Sequence, residues 1–532
     1  MGSTEVFEAF HEEQRPVVNE YLDQFLLSLV EEEESRRKQR SMERFREFVM
    51  RGGKRLRPLS VLLGYGAVTG EDPDEEIYRL SLPVEIYHNG TLVQDDFMDQ
   101  DGTRRGEPAL HREVMGEYDD LLPSPSIASR AWNRVKGFLE PGLGSASRHE
   151  MAAGGQAITG GNQLDNFADW PVYQSWLLPE EKNDILKILN ETGVAVNFGQ
   201  DLDLAMEQLS IRDVSRAEGV LEPGIGGRVR ESLNRGASRL RDTLGEGKVS
   251  NGLGRLEQFT DTENELYDEI MEEHGSLVDA YISMIDEKTV ELYTASVEIG
   301  ATLGEATESQ KQYLTDAMRD IGRAFQVQDD YLEIEESVEK TGKEPTDIVN
   351  GKLTLASIST YESLNAVADV LRGETGRFDI EKLVADSREE LEPMLESETY
   401  DAAVAEVEDM LERGEEAVHR MLDRGVDLTE YAEDRVMEYM NPDLLRKSRD
   451  SVLEDRRNFL SNYGNLPLIG AESSFRQVTE IISDYSYGKE MAEDMLESAK
   501  DRLDRGVQEA GLDKGYVEKM KGLADYMLDR SH

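Results

Sequence analysis

Apolar residues recur along this chain with the 3.6-residue rhythm of helices. Phe7, Phe10, Val17, Val18, Tyr21, Leu22, Phe25, Leu26 and Leu29 mark the first such stripe, and residues three and four apart share a helix face. Similar stripes run through most of the chain and no set of alternating strands competes with them, so the predicted architecture is all-α. Three stretches depart from the pattern. Residues 118–148 hold Pro123, Pro125 and Pro141 among glycines and serines and read as a loop-rich insertion. Residues 208–260 are rich in Arg, Gly and Glu with weak apolar patterning. Residues 366–475 are dense in Glu, Arg and Leu at helical spacing and read as an extra acidic helical insertion. The expected organisation is a core over 1–365 carrying the first two insertions, the helical insertion at 366–475, and the core's closing helices over 476–532.

Charge narrows the partners. A formal net charge of -52 excludes the basic surface that nucleic-acid backbones require. Disorder would need few apolar residues, but 38% of the chain is hydrophobic, so folding is expected. The acid excess and the preference for Arg over Lys fit a halophile's protein, soluble where salt screens repulsion. With no cysteine there are no disulfides, thiolate metal sites or cysteine nucleophiles. No apolar run reaches membrane-spanning length, and the acidic start Met1 to Glu13 does not read as a signal peptide. A cytoplasmic location is expected.

Two aspartate clusters carry the candidate chemistry. The first is Asp95-Asp96-Phe97-Met98-Asp99, followed by Arg104-Arg105; the second runs from Phe325 through Gln326, Asp329, Asp330 and Glu333, followed by Lys343 and Lys352. Acids are cheap here, since at about one residue in five three of them fall at any fixed spacing roughly four times by chance. The bases are the rarer signal. Of 59 basic residues few are lysines, yet Lys54, Lys288, Lys343 and Lys352 all lie in the segments singled out. Carboxylates one helical turn apart share a face, and two such faces turned toward each other would hold several magnesium ions. Nearby cations would grip the other end of the clamped ligand, most economically a diphosphate. Gly52-Gly53-Lys54-Arg55-Leu56-Arg57-Pro58 sets three cations after a tight glycine turn. His88 lies two turns before Asp95 on the same side; alone it more often fits a structural histidine than a ligand. Lys288-Thr289 alone sits in an ordinary helical segment.

Together and in this order, these segments resemble the trans-isoprenyl diphosphate synthases, the family of farnesyl and geranylgeranyl diphosphate synthases. The resemblance covers Gly52 to about Ala109, is weaker at Gly160-Gly161-Asn162 and at Gly199-Gln200-Asp201-Leu202-Asp203-Leu204, returns strongly from Lys288 to Thr354, and reaches the last helices from about Ser486. It implies a helical bundle around a deep central cavity, with the insertions added. It also implies that Asp95 and Asp99 ligate two magnesium ions and Asp329 a third, with Asp96, Asp330 and Glu333 acting through water. Arg104, Lys288, Lys343 and Lys352 would grip the allylic diphosphate. Lys54, Arg57, His88 and Arg105 would hold isopentenyl diphosphate, and Thr289 and Gln326 would face the developing cation. Two positions depart from the family: Glu333 ends the second cluster in place of Asp, and Asn162 stands where Asp is common.

The resemblance further implies that the residues just before Asp95 set product length. Gly90 and Thr91 are small, so the pocket is expected to continue, with Tyr87 either as its floor or only packed against the neighbouring helix, giving geranylgeranyl diphosphate or a longer product. A terpene cyclase would share the metal clusters but not need Lys54, Arg57 and Arg105. The competing reading from another class is a catalytically silent partner or scaffold subunit, against which the intact Asp95, Asp99 and Asp329 argue. A homodimer is expected.

Overall fold

The computed structural model describes residues 2–99, 101–121, 148–209, 214, 262–339, 352–372, 454–456, 458–460, 481–482, 486 and 488–528. The three insertions read from the sequence therefore lie almost wholly outside the described residues. In chain order the first helices are α1 (Ser3–Glu31), α2 (Arg36–Met50), α3 (Leu56–Thr69), α4 (Glu75–Leu80) and α5 (Leu82–Met98). A hairpin of β1 (Thr103–Arg104) and β2 (Glu107–Pro108) leads to α6 (Leu110–Leu121), α7 (Arg148–Ala168), α8 (Trp170–Gln174) and α9 (Pro179–Glu207). Next come α10 (Thr262–His274), α11 (Leu277–Ile285), a π-helical turn Asp286–Val290, α12 (Glu291–Leu303), α13 (Glu308–Glu339) and α14 (Leu355–Arg372). The last elements are α15 (Gly488–Arg505), a second π turn Gly506–Ala510, and α16 (Lys514–Leu528). The all-α expectation holds; the one addition among the described residues is the antiparallel hairpin, in register Thr103↔Pro108 and Arg104↔Glu107. No described helix is long and apolar enough to cross a membrane.

The helices fall into two units. The first comprises Met1–Phe198, Asp286–Gly322 and Met495–His532. Its core confirms the periodicity: of the first stripe, Phe7, Phe10, Val18, Leu22, Leu26 and Leu29 are buried. Leu22 and Leu26 meet Phe45 and Phe48 of α2, Leu82 and Ile86 of α5, and Leu164 of α7. Each such side chain contributes about 1.5–3 kcal/mol through its removal from water. Two helix pairs approach so closely that only glycine fits. A methyl at Gly300 of α12 would stand 2.0 Å from the Val61 carbonyl oxygen of α3, and one at Gly64 of α3 would stand 2.4 Å from the Val297 oxygen of α12. In the α5–α7 pair, Gly161 stands against the Gly90 carbonyl oxygen, which a methyl there would meet at 2.8 Å.

The second unit comprises Gly199–Ile285 and Arg323–Asp494. Among its described residues, Tyr281 of α11 and Tyr361 of α14 are the largest fully buried side chains. The start of α14 is capped reciprocally: Thr354 N–H donates to Ser357 Oγ at 3.0 Å and Ser357 N–H to Thr354 Oγ1 at 3.3 Å. Two orphan donors are thereby satisfied in a buried helix end.

The glycine contacts give opposite expectations for two alanine substitutions. Gly300→Ala should destabilise the protein by roughly 1–3 kcal/mol, because overpacking outweighs the gain in helix propensity. Gly155→Ala, on a helix face with nothing within 4 Å, should stabilise by about 0.5–1 kcal/mol. Denaturant unfolding of the two variants beside the parent checks both signs.

Candidate active site

The cationic part of the site begins with backbone that only a few residue types adopt. Gly52 and Gly53 have φ of +113° and +119°, open to glycine alone. Arg55 follows at φ +56°, a strained conformation for a side chain of its size. Its guanidinium explains why the strain persists. Buried to 3% exposure, it donates from Nη1 to Glu85 of α5 at 2.5 Å, from Nε to Asn19 at 2.9 Å and from Nη2 to the Val49 carbonyl at 2.7 Å. This fork ties the glycine turn to α1, α2 and α5 together. His11 Nε2 donates to the Lys54 carbonyl at 2.9 Å, and the Lys54 ammonium lies 4.9 Å from the centre of the Tyr526 ring. The Arg57 guanidinium lies 4.2 Å above Tyr293 of α12, a cation–π contact.

The hairpin supplies the other two arginines. Arg105 and Gly106, with φ of +54° and +81°, form the two-residue turn whose positive φ values suit a tight hairpin. Arg105 Nη1 donates to the Gly52 carbonyl at 2.5 Å. Arg104 Nε donates to Asp96 Oδ1, also at 2.5 Å. Half-buried His88 sits in the field of all four arginines. Burial, then Arg57, Arg105, Arg104 and Arg55, push its pKa well below the usual histidine range, so it is neutral and can donate or accept a hydrogen bond.

The acidic part lies further along α5. Asp95 is half-exposed and Asp99 exposed, and Asp99 N–H donates to the Asp95 carbonyl at 2.8 Å, so the helical turn continues through both. Asp96 points the other way and is fully buried. Burial raises its pKa, and the Arg104 contact works against that shift. One carboxyl oxygen of Asp96 has no hydrogen-bond partner. Among the described residues no three carboxylates or histidines gather into a ready cage for a metal. Two hard oxygen donors one turn apart on an open face suit magnesium, which keeps waters and takes remaining ligands from substrate phosphate.

Lys288 and Thr289 fall in the π turn rather than in a regular helix. One extra residue per turn re-aims the side chains on either side of it, and such turns cluster at functional sites. In the second unit, Asp330 accepts from Tyr281 Oη at 2.5 Å and from Gln326 Nε2 at 2.9 Å, so both its oxygens are engaged. Asp329, beside it on α13, is half-buried. The Lys352 ammonium lies 3.2 Å from Glu207 and 3.9 Å from Asp203 of α9. Lys343 and the Glu333 side chain lie outside the described residues.

The residues singled out for chain length share α5. Thr91 Oγ1 donates to the His88 carbonyl at 2.8 Å. Tyr87 reaches the Gly193 carbonyl of α9 at 3.4 Å. Gly90 faces α7, where a methyl would stand 2.2 Å from Asp165 Oδ1 and 3.0 Å from the Gly161 carbonyl oxygen. Its smallness is thus required by helix contact. Asp165 was not singled out in the sequence. The available signal was an acid next to buried Leu164 and one turn beyond buried Gly161. Its Oδ1 is buried without a partner, and burial pushes the carboxyl up to about 7. Burial, with Asp165 nearby, also raises the Tyr87 phenol. Arg55 and Asn162 complete the comparison with the sequence: Arg55 organises the cations without having been assigned a role, and Asn162 accepts from Gln94 at 3.0 Å.

A family model described as polyprenyl synthetase matches residues 38–138 and 255–386. A short chain isoprenyl diphosphate synthase of Methanocaldococcus jannaschii is 25% identical over 315 residues, covering 59% of this chain and 64% of that protein. This chain therefore spans just under two thirds of that relative's length. A geranylfarnesyl diphosphate synthase of Natronomonas pharaonis is 24% identical over 400 residues, covering 72% of this chain and 85% of that one. The crystal structure of geranylgeranyl pyrophosphate synthetase from Pyrococcus horikoshii superposes with a TM-score of 0.53 at 20% identity, covering 99% of both chains. That of a geranylgeranyl pyrophosphate synthase from Corynebacterium glutamicum, complexed with isoprenyl diphosphate and magnesium, gives 0.53 at 17% identity, covering 100% of both. These structures share the fold.

The Asp165 carboxyl has a pH signature. Its folded-state pKa lies above the ordinary carboxylate value, so its contribution to stability is complete at acid pH and is lost as pH rises through about 7. Asp165→Asn should therefore gain roughly 1–3 kcal/mol relative to the parent between about pH 5 and about pH 9. Denaturant unfolding at the two pH values checks the sign.

Proposed function

We propose that this chain, which matches the polyprenyl synthetase family model over residues 38–138 and 255–386, condenses isopentenyl diphosphate with an allylic diphosphate, lengthening a prenyl chain head to tail and releasing diphosphate. The observation that carries this reading is on α5. One helix presents a neutral His88 amid four arginines and, two turns later, the open carboxylates Asp95 and Asp99. In a chain of net charge -52, such a concentration of cations beside metal-type ligands calls for a polyanionic ligand.

In this reading Lys54, Arg57, His88 and Arg105 bind isopentenyl diphosphate, while Arg104, Lys288, Lys343 and Lys352 bind the allylic diphosphate. Asp95, Asp99 and Asp329 are assigned as the direct ligands of magnesium, with three ions in all. Bound magnesium supplies Lewis acidity that neutralises the departing diphosphate. The allylic carbon–oxygen bond breaks with its electron pair leaving on the diphosphate. The resulting cation is stabilised by the oxygen dipoles of Thr289 and Gln326; Gln326 turns its N–H toward Asp330, so its carbonyl is the dipole it offers. The alkene of isopentenyl diphosphate then forms the new carbon–carbon bond. The proton lost in restoring the double bond goes to the released diphosphate, so no side-chain base is required. Asp96 and Asp330, each held by a neighbour, act by orienting the arginine and the metal shell. The product is geranylgeranyl diphosphate or longer.

We also propose a homodimer. Apart from Leu27, every exposed large apolar side chain among the described residues falls between Ile158 and Phe198, including Trp176 at 75% and Phe198 at 63% exposure. Concentrated on α7 to α9, they form the kind of surface that isologous interfaces cover.

Purified protein at high potassium chloride, given magnesium, labelled isopentenyl diphosphate and each allylic starter in turn, should form extractable prenyl diphosphates. Chelation of magnesium should abolish product, and Asp95→Ala should lower turnover by at least about a hundredfold. A folded protein that makes no product from any starter would move the reading to the silent partner subunit. Light scattering during gel filtration should give twice the chain mass, and Trp176→Glu combined with Phe198→Glu should give the single chain.

A further inference from the structure

We propose that His11 and Tyr526 are positioning residues of the diphosphate site: the His11 ring fixes the main chain of Lys54 and the Tyr526 ring holds its ammonium. Both roles rest on the elongation reading above, in which Lys54 binds isopentenyl diphosphate. Each residue acts on the ligand only through Lys54.

The two rings come from opposite ends of the chain. On α1, Ser3, Phe7 and His11 recur every fourth residue and share one face; on α16, Glu518, Gly522 and Tyr526 do the same. The faces lock together. Ser3 Oγ donates to Glu518 Oε2 at 3.2 Å, and a methyl at Gly522 would stand 2.0 Å from the Ser3 carbonyl oxygen and 2.7 Å from Phe7 Cβ. Further along, Phe7 and His11 meet the Tyr526 ring, with ring centres 5.2 and 5.4 Å away. All three rings are buried, so packing between the helices fixes where each one stands.

Lys54 is a residue that gains from such support. It is half-buried and directly follows Gly52 and Gly53, whose backbone freedom is the greatest of any residue. Its own charge sits on a flexible four-carbon stem. His11 Nε2 donates to the Lys54 carbonyl at 2.9 Å, which pins the peptide at the exit of the glycine turn. Burial lowers the His11 pKa, with the Arg15 and Lys54 charges adding to this and the Lys54 hydrogen bond opposing it. A neutral ring has one N–H, and here it is aimed at that carbonyl. The Lys54 ammonium lies 4.9 Å from the Tyr526 ring centre, inside the cation–π range of about 6 Å. A ring face attracts a cation without bringing an opposing charge of its own, so this contact does not compete with a diphosphate.

The test is steady-state kinetics on folded variants, each substrate being varied against a saturating co-substrate. Tyr526→Leu keeps an apolar side chain and removes the ring face; His11→Phe keeps a ring and removes the donor. Each should raise KM for isopentenyl diphosphate roughly three- to thirtyfold, with kcat and the allylic KM held within about twofold. Tyr526→Phe retains the ring face and His11→Gln retains an N–H donor, so both should stay near the parent. If one variant fails to fold, the other carries the test. The decisive comparison repeats both substitutions in Lys54→Met protein and follows kcat/KM. A residue that acts through Lys54 should then change nothing further, whereas a general loss of packing would exert its effect again. An unchanged KM in either folded variant, equal impairment by Tyr526→Phe, or full additivity with Lys54→Met would overturn the proposal and leave elongation intact. Calorimetric titration with isopentenyl diphosphate reads the same contacts without turnover. Should the parent form no product, equal affinity of parent and variants overturns the proposal. A parent that binds no isopentenyl diphosphate overturns it together with the elongation reading.

Discussion

The arrangement of the cationic residues depends on one buried ion pair, Arg55 with Glu85. The fork of Arg55 reaches α1 through Asn19, the end of α2 through Val49 and α5 through Glu85, while its backbone holds the left-handed bend that starts α3. Removing either partner would leave the other buried and uncompensated, a loss of about 3–5 kcal/mol. Lys54 precedes Arg55 directly and Arg57 follows two positions later, and His88 lies one turn beyond Glu85. The pair therefore sets where three of the site residues can stand.

Around that anchor, repulsion is built in. Four arginines press on His88 in a protein whose overall charge is strongly negative, and their like charges repel one another. Under the proposed function, a polyanion bound beside them would relieve that repulsion. The acids are distributed with equal economy. Asp95 and Asp99 remain at the surface, whereas Asp96 is turned inward onto Arg104, so that adjacent acids of one helical turn serve different ends.

Much of this was legible in the sequence, for definable reasons. The stripe from Phe7 to Leu29 reported a helix because burial follows backbone period. The lysines and arginines stood out because lysine is scarce and basic clusters are rare in so acidic a chain. What escaped detection depends on pairing between segments distant in sequence. Arg55 looked like one cation among three, and only its contacts to Glu85 and Asn19 separate it from Lys54 and Arg57. Lys288 lay in an apparently regular helix because a π turn leaves the apolar pattern nearly intact. Gly90 read as an opening, since a sequence cannot show that Asp165 and Gly161 fill the space beside it. The hairpin was missed because two residues per strand are too few to alternate.

The glycine contacts between α3 and α12 have a mechanical meaning. With Gly64 and Gly300 letting backbone touch backbone, and Arg57 laid on Tyr293 across the same seam, the two helices cannot slide or roll without collision. They behave as a single stiff beam, with Arg57 near the start of one helix and the Lys288 turn leading into the other. The separation of the backbone positions that carry those two charges is consequently a property of the beam, and only side-chain motion is left to adjust it. A descendant that lost Gly64 would keep every cation and lose the ruler that spaces them.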